Sequence, residues 1–203
     1  MKKVNELIKL PEVKTIFNLF NDNQGIYLVG GCIRDTLSGK EVTDIDFAID
    51  IGPEEVVKTL SNNNIKFYDI GINYGTVTAV IDSKNYEITS LREDIETDGR
   101  HAKVKYTSDI KADSLRRDFT INAIYANRDG ELFDFHNGID DIENRNLKFI
   151  GSANDRVKED YLRILRYFRF YADFSNLEID ANLKKVFKEG SKNFSKISKE
   201  RIW

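Results

Sequence analysis

At 203 residues, with 40 % hydrophobic and 11 % aromatic content, the chain can build a sizeable core, and 2 prolines without a Ser/Gly-rich tract argue against a flexible linker. Its net charge of −3 is unevenly spread, because residues 151–203 carry 12 Lys and Arg against 8 Asp and Glu, so the basic character a nucleic-acid partner needs lies toward the C-terminus. Cys32 is the single cysteine, which excludes an internal disulfide and a cysteine zinc site; no apolar leader and no membrane-length apolar run is present, and a soluble, cytoplasmic protein is predicted.

Val13, Ile16, Phe17 and Phe20 recur at helical spacing behind Pro11. The apolar run 26–29 is ended by Gly30-Gly31 and followed by CIRDTLSG, which predicts strand, glycine turn and a short helix stopping at Gly39. Residues 44–50 alternate as a half-buried strand does, and PEEVVKTL opens as a helix N-terminus does. Further strands are predicted at 65–70, 76–81 and 86–91, the last two joined by Asp82-Ser83-Lys84-Asn85. The charged, weakly periodic stretch 93–113 reads as a mobile loop with an extended piece at 104–106. Beyond it SLRRDFTINAIYA reads as helix, ELFDF as strand and IDDIENR as a short helix. From about residue 154 the pattern is wholly helical, with stripes Leu162/Leu165/Phe168/Ala172 and Leu183/Val186/Phe187. The expected organisation is therefore a mixed α/β head over 1–152 and the start of a helical domain over 153–203. The last helix is expected to be cut short, because Ile202-Trp203 brings no glycine, proline or cap.

Asp44 and Asp46 stand at i and i+2, so on a strand their carboxylates share a face. Such a pair repels unless a cation lies between, and an all-oxygen site suits Mg²⁺, although two acids on a solvated strand would look the same in sequence. Gly30 and Gly31 stand at a helix N-terminus, where bare backbone N–H groups can approach a phosphate, with Arg34 one turn further on. A structural turn with Arg34 in a surface ion pair is the competing reading.

Four segments in order carry a resemblance: LVGGCIRDTLSGKEVTDIDFAID, SLRRDFTINAIYA, LFDFHNGIDDIENRNLKFIG and VKEDYLRILRYFRF. Together they resemble the class II tRNA nucleotidyltransferases (CCA-adding enzymes) and their bacterial poly(A) polymerase relatives, within the nucleotidyltransferase superfamily that includes DNA polymerase β. The resemblance implies a mixed sheet backed by helices and followed by a helical neck. It implies that Asp44 and Asp46 bind catalytic Mg²⁺, and that Gly30, Gly31, Arg34, Arg117, Arg163, Arg166 and Arg169 contact a nucleoside triphosphate. Glu87 stands where the family carries a third acid. Asp160 and Arg163, read as neighbours on one helix, offer an acceptor and a donor that match the pairing edges of cytosine and adenine and mismatch those of uracil and guanine. The implied activity is template-independent addition of C and A from CTP and ATP to the 3′ end of tRNA, with release of pyrophosphate. Alternatives are a poly(A) polymerase or A-adding enzyme, a sugar-nucleotide transferase using the Asp-x-Asp pair, and an inactive RNA-binding fragment.

Overall fold

The computed structural model describes residues 2–97 and 102–202. Its strands are β1 (Ile26–Val29), β2 (Asp46–Ile49), β3 (Lys66–Tyr68), β4 (Thr76–Ile81), β5 (Lys84–Ser90), β6 (Arg92–Thr97), β7 (Ala102–Tyr106), β8 (Ile124–Ala126) and β9 (Leu132–Asp134). Seven of them form a sheet in the order β3-β4-β5-β2-β1-β8-β9, and β6 with β7 makes a separate hairpin. In the sheet only β2 and β5 run parallel; the other pairs are antiparallel. The fold is thus mixed α/β, as expected.

Strand alternation divides the sheet into two faces. Leu28, Phe47, Ile49, Val77, Ala79 and Ile88 point to one of them and pack under helices α1 (Lys2–Ile8), α2 (Pro11–Leu19), α3 (Gly31–Ser38) and α4 (Pro53–Asn62), which supply Val4, Ile16, Phe17, Ile33, Val56 and Leu60. The opposite face is covered only in part, by a small cluster of Val29, Ala48, Leu91 and Tyr125. Gly39 ends α3 at φ 73° and Pro53 opens α4, as their positions predict. The β4–β5 turn is tighter than expected: Asp82 and Ser83 alone make it, at φ 50° and 62°, and Lys84 and Asn85 belong to the strand.

Two expectations fail in the middle of the chain. The predicted loop 93–113 is instead the β6–β7 hairpin followed by α5 (Ile110–Leu115), with the extended piece expected at 104–106 lying within β7 and 98–101 outside the described residues. The strands β6 and β7 form a sheet of their own, apart from the main sheet whose alternation can be read, and Glu93 lies opposite Lys105, so the sequence reads as a charged loop. The predicted helix over 114–126 holds only the end of α5, then a 3₁₀ turn at Thr120–Asn122 and strand β8. Residues 118–126 are buried throughout, so no amphipathic period existed to read.

Helices α6 (Gly138–Glu143), α7 (Ala153–Glu159), α8 (Leu162–Phe174), α9 (Ala181–Ser191) and α10 (Lys199–Ile202) complete the chain. A second core joins Phe119, Ile121, Leu147 and Phe149 to Val157, Ile164, Tyr167, Phe170, Phe174 and Phe187. The buried stripe of α8 is therefore Ile164/Tyr167/Phe170/Phe174, one register away from the expected one, and Phe168 and Ala172 are exposed.

Gly138 opens α6 against the carbonyl of Thr120, so closely that a methyl group there would collide with backbone. Gly138→Ala is expected to destabilise the protein by about 1–3 kcal/mol, read as a lower urea midpoint at unchanged m, because neither backbone segment can yield cheaply.

Candidate active site

The strand–turn–helix at β1 and α3 builds the first element of the site. Gly30 sits at φ 76°, a conformation that costs a side-chain-bearing residue, and turns the chain so that α3 starts at Gly31 with its N-terminal N–H groups free of any side-chain cap. Cys32 is fully buried behind this turn, its thiol directed at the carbonyls of Val29 and Asp46 and pushed up to about 12 by burial. It ties α3 to the start of β2 as an inert thiol.

Asp46 is the first residue of β2 and pairs with Val29 on one side and Glu87 on the other. Asp44 lies outside the strand, exposed, with one carboxylate oxygen accepting from the Thr43 hydroxyl at 3.0 Å. The expected Asp-x-Asp strand pair is thus a strand residue and its pre-strand neighbour, while the parallel register sets Glu87 beside Asp46 on the same face. Burial and the charge of Glu87 push the Asp46 carboxyl up to about 6; Arg117 opposes this and Asp44 adds to it.

Beside Asp46 opens a cleft of about 370 Å³ lined by Gly30, Gly31, Arg34, Asp46, Arg116, Arg117, Asp118, Asn122, Asp160, Leu162, Arg163, Arg166, Phe170 and Arg201. Its arginines come from four segments, and each is held by a carboxylate. Arg34 donates to Asp35 at 2.9 and 2.8 Å and to the Asn122 side-chain oxygen at 2.7 Å. Asn122 in turn donates to Asp118 at 3.1 Å, and Asp118 accepts from Arg166 at 2.6 Å. Burial alone would raise the Asp118 carboxyl, but Arg166, the Asn122 amide and the Phe119 N–H together outweigh it and the net shift is downward. Phe170 is the platform: the guanidinium groups of Arg34, Arg166 and Arg169 lie 4.7, 5.5 and 5.2 Å from its ring centre. Under Arg116 and Arg117 lies Asp113 of α5, fully buried, receiving Arg116 at 2.9 Å, Arg117 at 3.0 Å and the Tyr125 hydroxyl at 2.7 Å.

Of the residues singled out in sequence, Gly30, Gly31, Arg34, Asp46, Arg117, Asp160, Arg163 and Arg166 share this cleft. Asp44 and Glu87 flank it without lining it, and Arg169 stands outside on the Phe170 ring. Asp160 and Arg163 do not share a helix: Asp160 breaks the chain between α7 and α8, accepting from the Leu162 N–H at 3.1 Å and from Arg201 at 2.7 Å. Arg163 pairs with Glu159, not with Asp160. Sequence reasoning passed over Arg116, Asp118, Asn122 and Arg201; the first three adjoin the quoted Arg117 motif and were legible as polar residues in an otherwise apolar stretch.

The family model for the poly(A) polymerase head domain matches residues 26–148. The chain belongs to that family. Among curated relatives, this head-domain protein is 41 % identical over 195 residues to human mitochondrial CCA tRNA nucleotidyltransferase 1, covering 94 % of this chain and 45 % of the human one. It is 39 % identical over 178 residues to the CCA-adding enzyme of Lactobacillus delbrueckii subsp. bulgaricus, covering 87 % of this chain and 44 % of that protein. Among solved structures, the Bacillus stearothermophilus CCA-adding enzyme in complex with CTP superposes with a TM-score of 0.81 at 29 % identity, over 95 % of this chain and 47 % of that one. The chain spans less than half the length of these relatives.

The donor set of this family member fits a hard divalent cation. Asp46, Glu87 and Asp44 offer only oxygens, and Asp46, raised first by burial and then by the charges of Glu87 and Asp44, would be eased as a carboxylate by a cation. Among the described residues no three acids, histidines or cysteines converge as a finished cage. That is the usual condition of Mg²⁺, which takes one or two carboxylates and completes its shell with water and substrate phosphate. No helix among the described residues is long and apolar enough to cross a membrane.

Proposed function

We propose that this chain is the nucleotide-transferring part of a template-independent RNA nucleotidyltransferase that adds C and A from CTP and ATP to the 3′ end of tRNA. The observation that carries this reading is the arginine cleft opening between the uncapped α3 N-terminus and Asp46, a cradle for a triphosphate beside an acidic centre. The names of the relatives support CCA addition over tailing with A alone. Residues 1–152 would form the catalytic head and 153–203 the start of the neck, working in the cytoplasm, where a buried free thiol such as Cys32 is at home.

In the transfer, the 3′-oxygen of the RNA forms a bond to the α-phosphorus, the bond from that phosphorus to the bridging oxygen breaks, and the electron pair leaves with pyrophosphate; the hydroxyl proton passes to water. Mg²⁺ held by Asp44 and Asp46, with Glu87 beside them, would supply positive charge at the attacking and leaving oxygens. The N–H groups at Gly30 and Gly31 hold phosphate oxygens, and Arg34, Arg117 and Arg166, already fixed by their carboxylate and amide partners, carry the charge that builds on the leaving group. No protein nucleophile is required. Ser114 does meet His136 at 2.8 Å, but Ser114 is fully buried and the Asp134 carboxylate is occupied by the N–H groups of His136, Gly138 and Ile139.

Incorporation of labelled CMP and AMP into tRNA lacking its CCA end, with Mg²⁺ and with chelator, tests the reading. Incorporation of both nucleotides supports it; AMP alone returns the A-adding alternative, and RNA binding without transfer the inactive fragment. Base choice is assigned to Asp160 and Arg163, which reach the same cleft from the α7–α8 break and from α8. Asp160→Ala is expected to reduce discrimination against UTP and GTP by about ten- to a hundredfold in kcat/KM, because a missing acceptor no longer penalises the wrong edge. Arg163→Ala is expected to weaken CTP and ATP instead. A uniform loss for all four triphosphates in both variants would assign the pair to structure alone.

A further inference from the structure

The register of the sheet places one row of side chains on the face that carries Asp46. Reading across the strands, Phe133, Tyr125, Val29, Asp46, Glu87, Thr78 and Tyr68 are direct neighbours, each pairing with the next. Burial along this row changes abruptly at Asp46. On the β1 side Tyr125 and Val29 are buried, whereas on the other side Glu87 is exposed, Thr78 is half-buried and Tyr68 is 44 % exposed at the edge strand. Lys66, two residues before Tyr68 and on the same face, is exposed with its ammonium 5.3 Å from the Tyr68 ring centre. Tyr68 lies roughly 14 Å, three strand spacings, from Asp46.

An in-line displacement sets the attacking oxygen and the leaving pyrophosphate on opposite sides of the α-phosphorus. The triphosphate cradle lies on the β1–α3 side of Asp46, so the attacking hydroxyl has to arrive from the β5 side. The β5–β4–β3 face is the sheet surface continuous with the acidic centre there, and the face beyond β1 is closed by Tyr125 and its neighbours.

We propose that the strip from Glu87 through Thr78 to Tyr68 and Lys66 is the track on which the last nucleotides of the acceptor RNA lie. Tyr68 stacks on a base, Lys66 meets a phosphate and Thr78 offers a hydroxyl between them and the carboxylates. A tyrosine ring and an ammonium at an open strand edge are what a single strand of any sequence requires, since every base has a flat face and every nucleotide a phosphate. The proposal rests on the RNA nucleotidyltransferase reading above and adds to it the side from which the acceptor enters.

The test separates acceptor from triphosphate. Steady-state transfer of CMP onto tRNA lacking CCA is measured for the wild type, Tyr68→Ala, Tyr68→Phe and Lys66→Gln, with KM determined separately for tRNA and CTP. Binding of the same tRNA, labelled at its 5′ end, is followed by fluorescence anisotropy. Tyr68→Ala is expected to raise KM and Kd for tRNA by about fivefold or more with KM for CTP unchanged, and Tyr68→Phe to behave as the wild type. Lys66→Gln is expected to lower the salt dependence of tRNA binding by about one unit of slope. Equal tRNA affinity for the wild type and Tyr68→Ala, or parallel rises in both KM values, overturns the track. A wild-type chain that binds tRNA but transfers nothing overturns the functional reading instead, and anisotropy then still decides the track; a chain that binds no tRNA overturns both.

Discussion

Asp46→Asn is expected to abolish nucleotide transfer, with a loss of at least about a thousandfold in kcat, while leaving the fold as stable as the wild type or slightly more so. Among the described residues Asp46 is the only carboxylate that both begins a central strand and lines the arginine cleft beside the α3 N-terminus. Asn preserves its shape and its strand pairing but cannot neutralise a cation. Stability should not suffer, because ionising Asp46 works against folding. Burial and Glu87 raise its carboxyl to about 6, so the folded protein loses stability as pH rises between the ordinary carboxylate range and 6, and Asn removes that loss. Melting temperatures at pH 8 with and without MgCl₂, beside the transfer assay, decide the matter. The wild type should gain stability from Mg²⁺ and the variant should not. Near wild-type turnover in Asp46→Asn would remove the metal assignment, whereas a collapsed melting temperature would make Asp46 a structural residue.

The parts of this site that were legible in sequence are those whose signals are local. Gly30-Gly31 after an apolar run has one physical meaning, a turn into a helix, and Asp46 at the head of an alternating strand has to share a face with its cross-strand partners. What failed was phase and context. In α8 the run LRILRYFRFYADF offers large apolar residues on nearly every side, so spacing alone could not choose Ile164/Tyr167/Phe170/Phe174 over its neighbour. Docking against Phe119 and Phe149, more than a dozen residues upstream, makes that choice. The same long-range pairing hid β8: Tyr125 and Ala126 are strand residues because Val29 and Leu28 await them, a fact absent from their own stretch. Asp113 was invisible for a related reason. Its segment reads as charged and solvated, and only Arg116, Arg117 and Tyr125, folded over it, turn an ordinary acid into a buried hub.

Asp113→Ala is therefore expected to be the most destabilising single substitution near the site, costing about 3–5 kcal/mol, because it leaves two arginines, the Tyr125 hydroxyl and the Arg92 backbone N–H without the carboxylate they share. Burial would raise the Asp113 carboxyl, but Arg117 and Arg116, with the hydrogen bonds from the Tyr125 hydroxyl and the Arg92 N–H, together outweigh it and hold it at about 2. A folded-state value below the unfolded one means stability that is fully present above the ordinary carboxylate range and is lost as pH falls toward 2. Urea unfolding of the wild type and the variant at pH 7, 5, 3.5 and 2.5 should show a gap that is wide at pH 7, unchanged at pH 5, and narrower at each step below as the wild-type carboxyl takes up its proton. Asp113→Asn keeps the shape and part of the hydrogen bonding, so it should remain folded at low temperature and report the functional side. With Arg116 and Arg117 less firmly anchored, its KM for CTP should rise while its affinity for tRNA is unchanged. A gap between wild type and Asp113→Ala that is constant across the whole pH range would mean that shape, rather than the charge shared with the two arginines, is what Asp113 contributes.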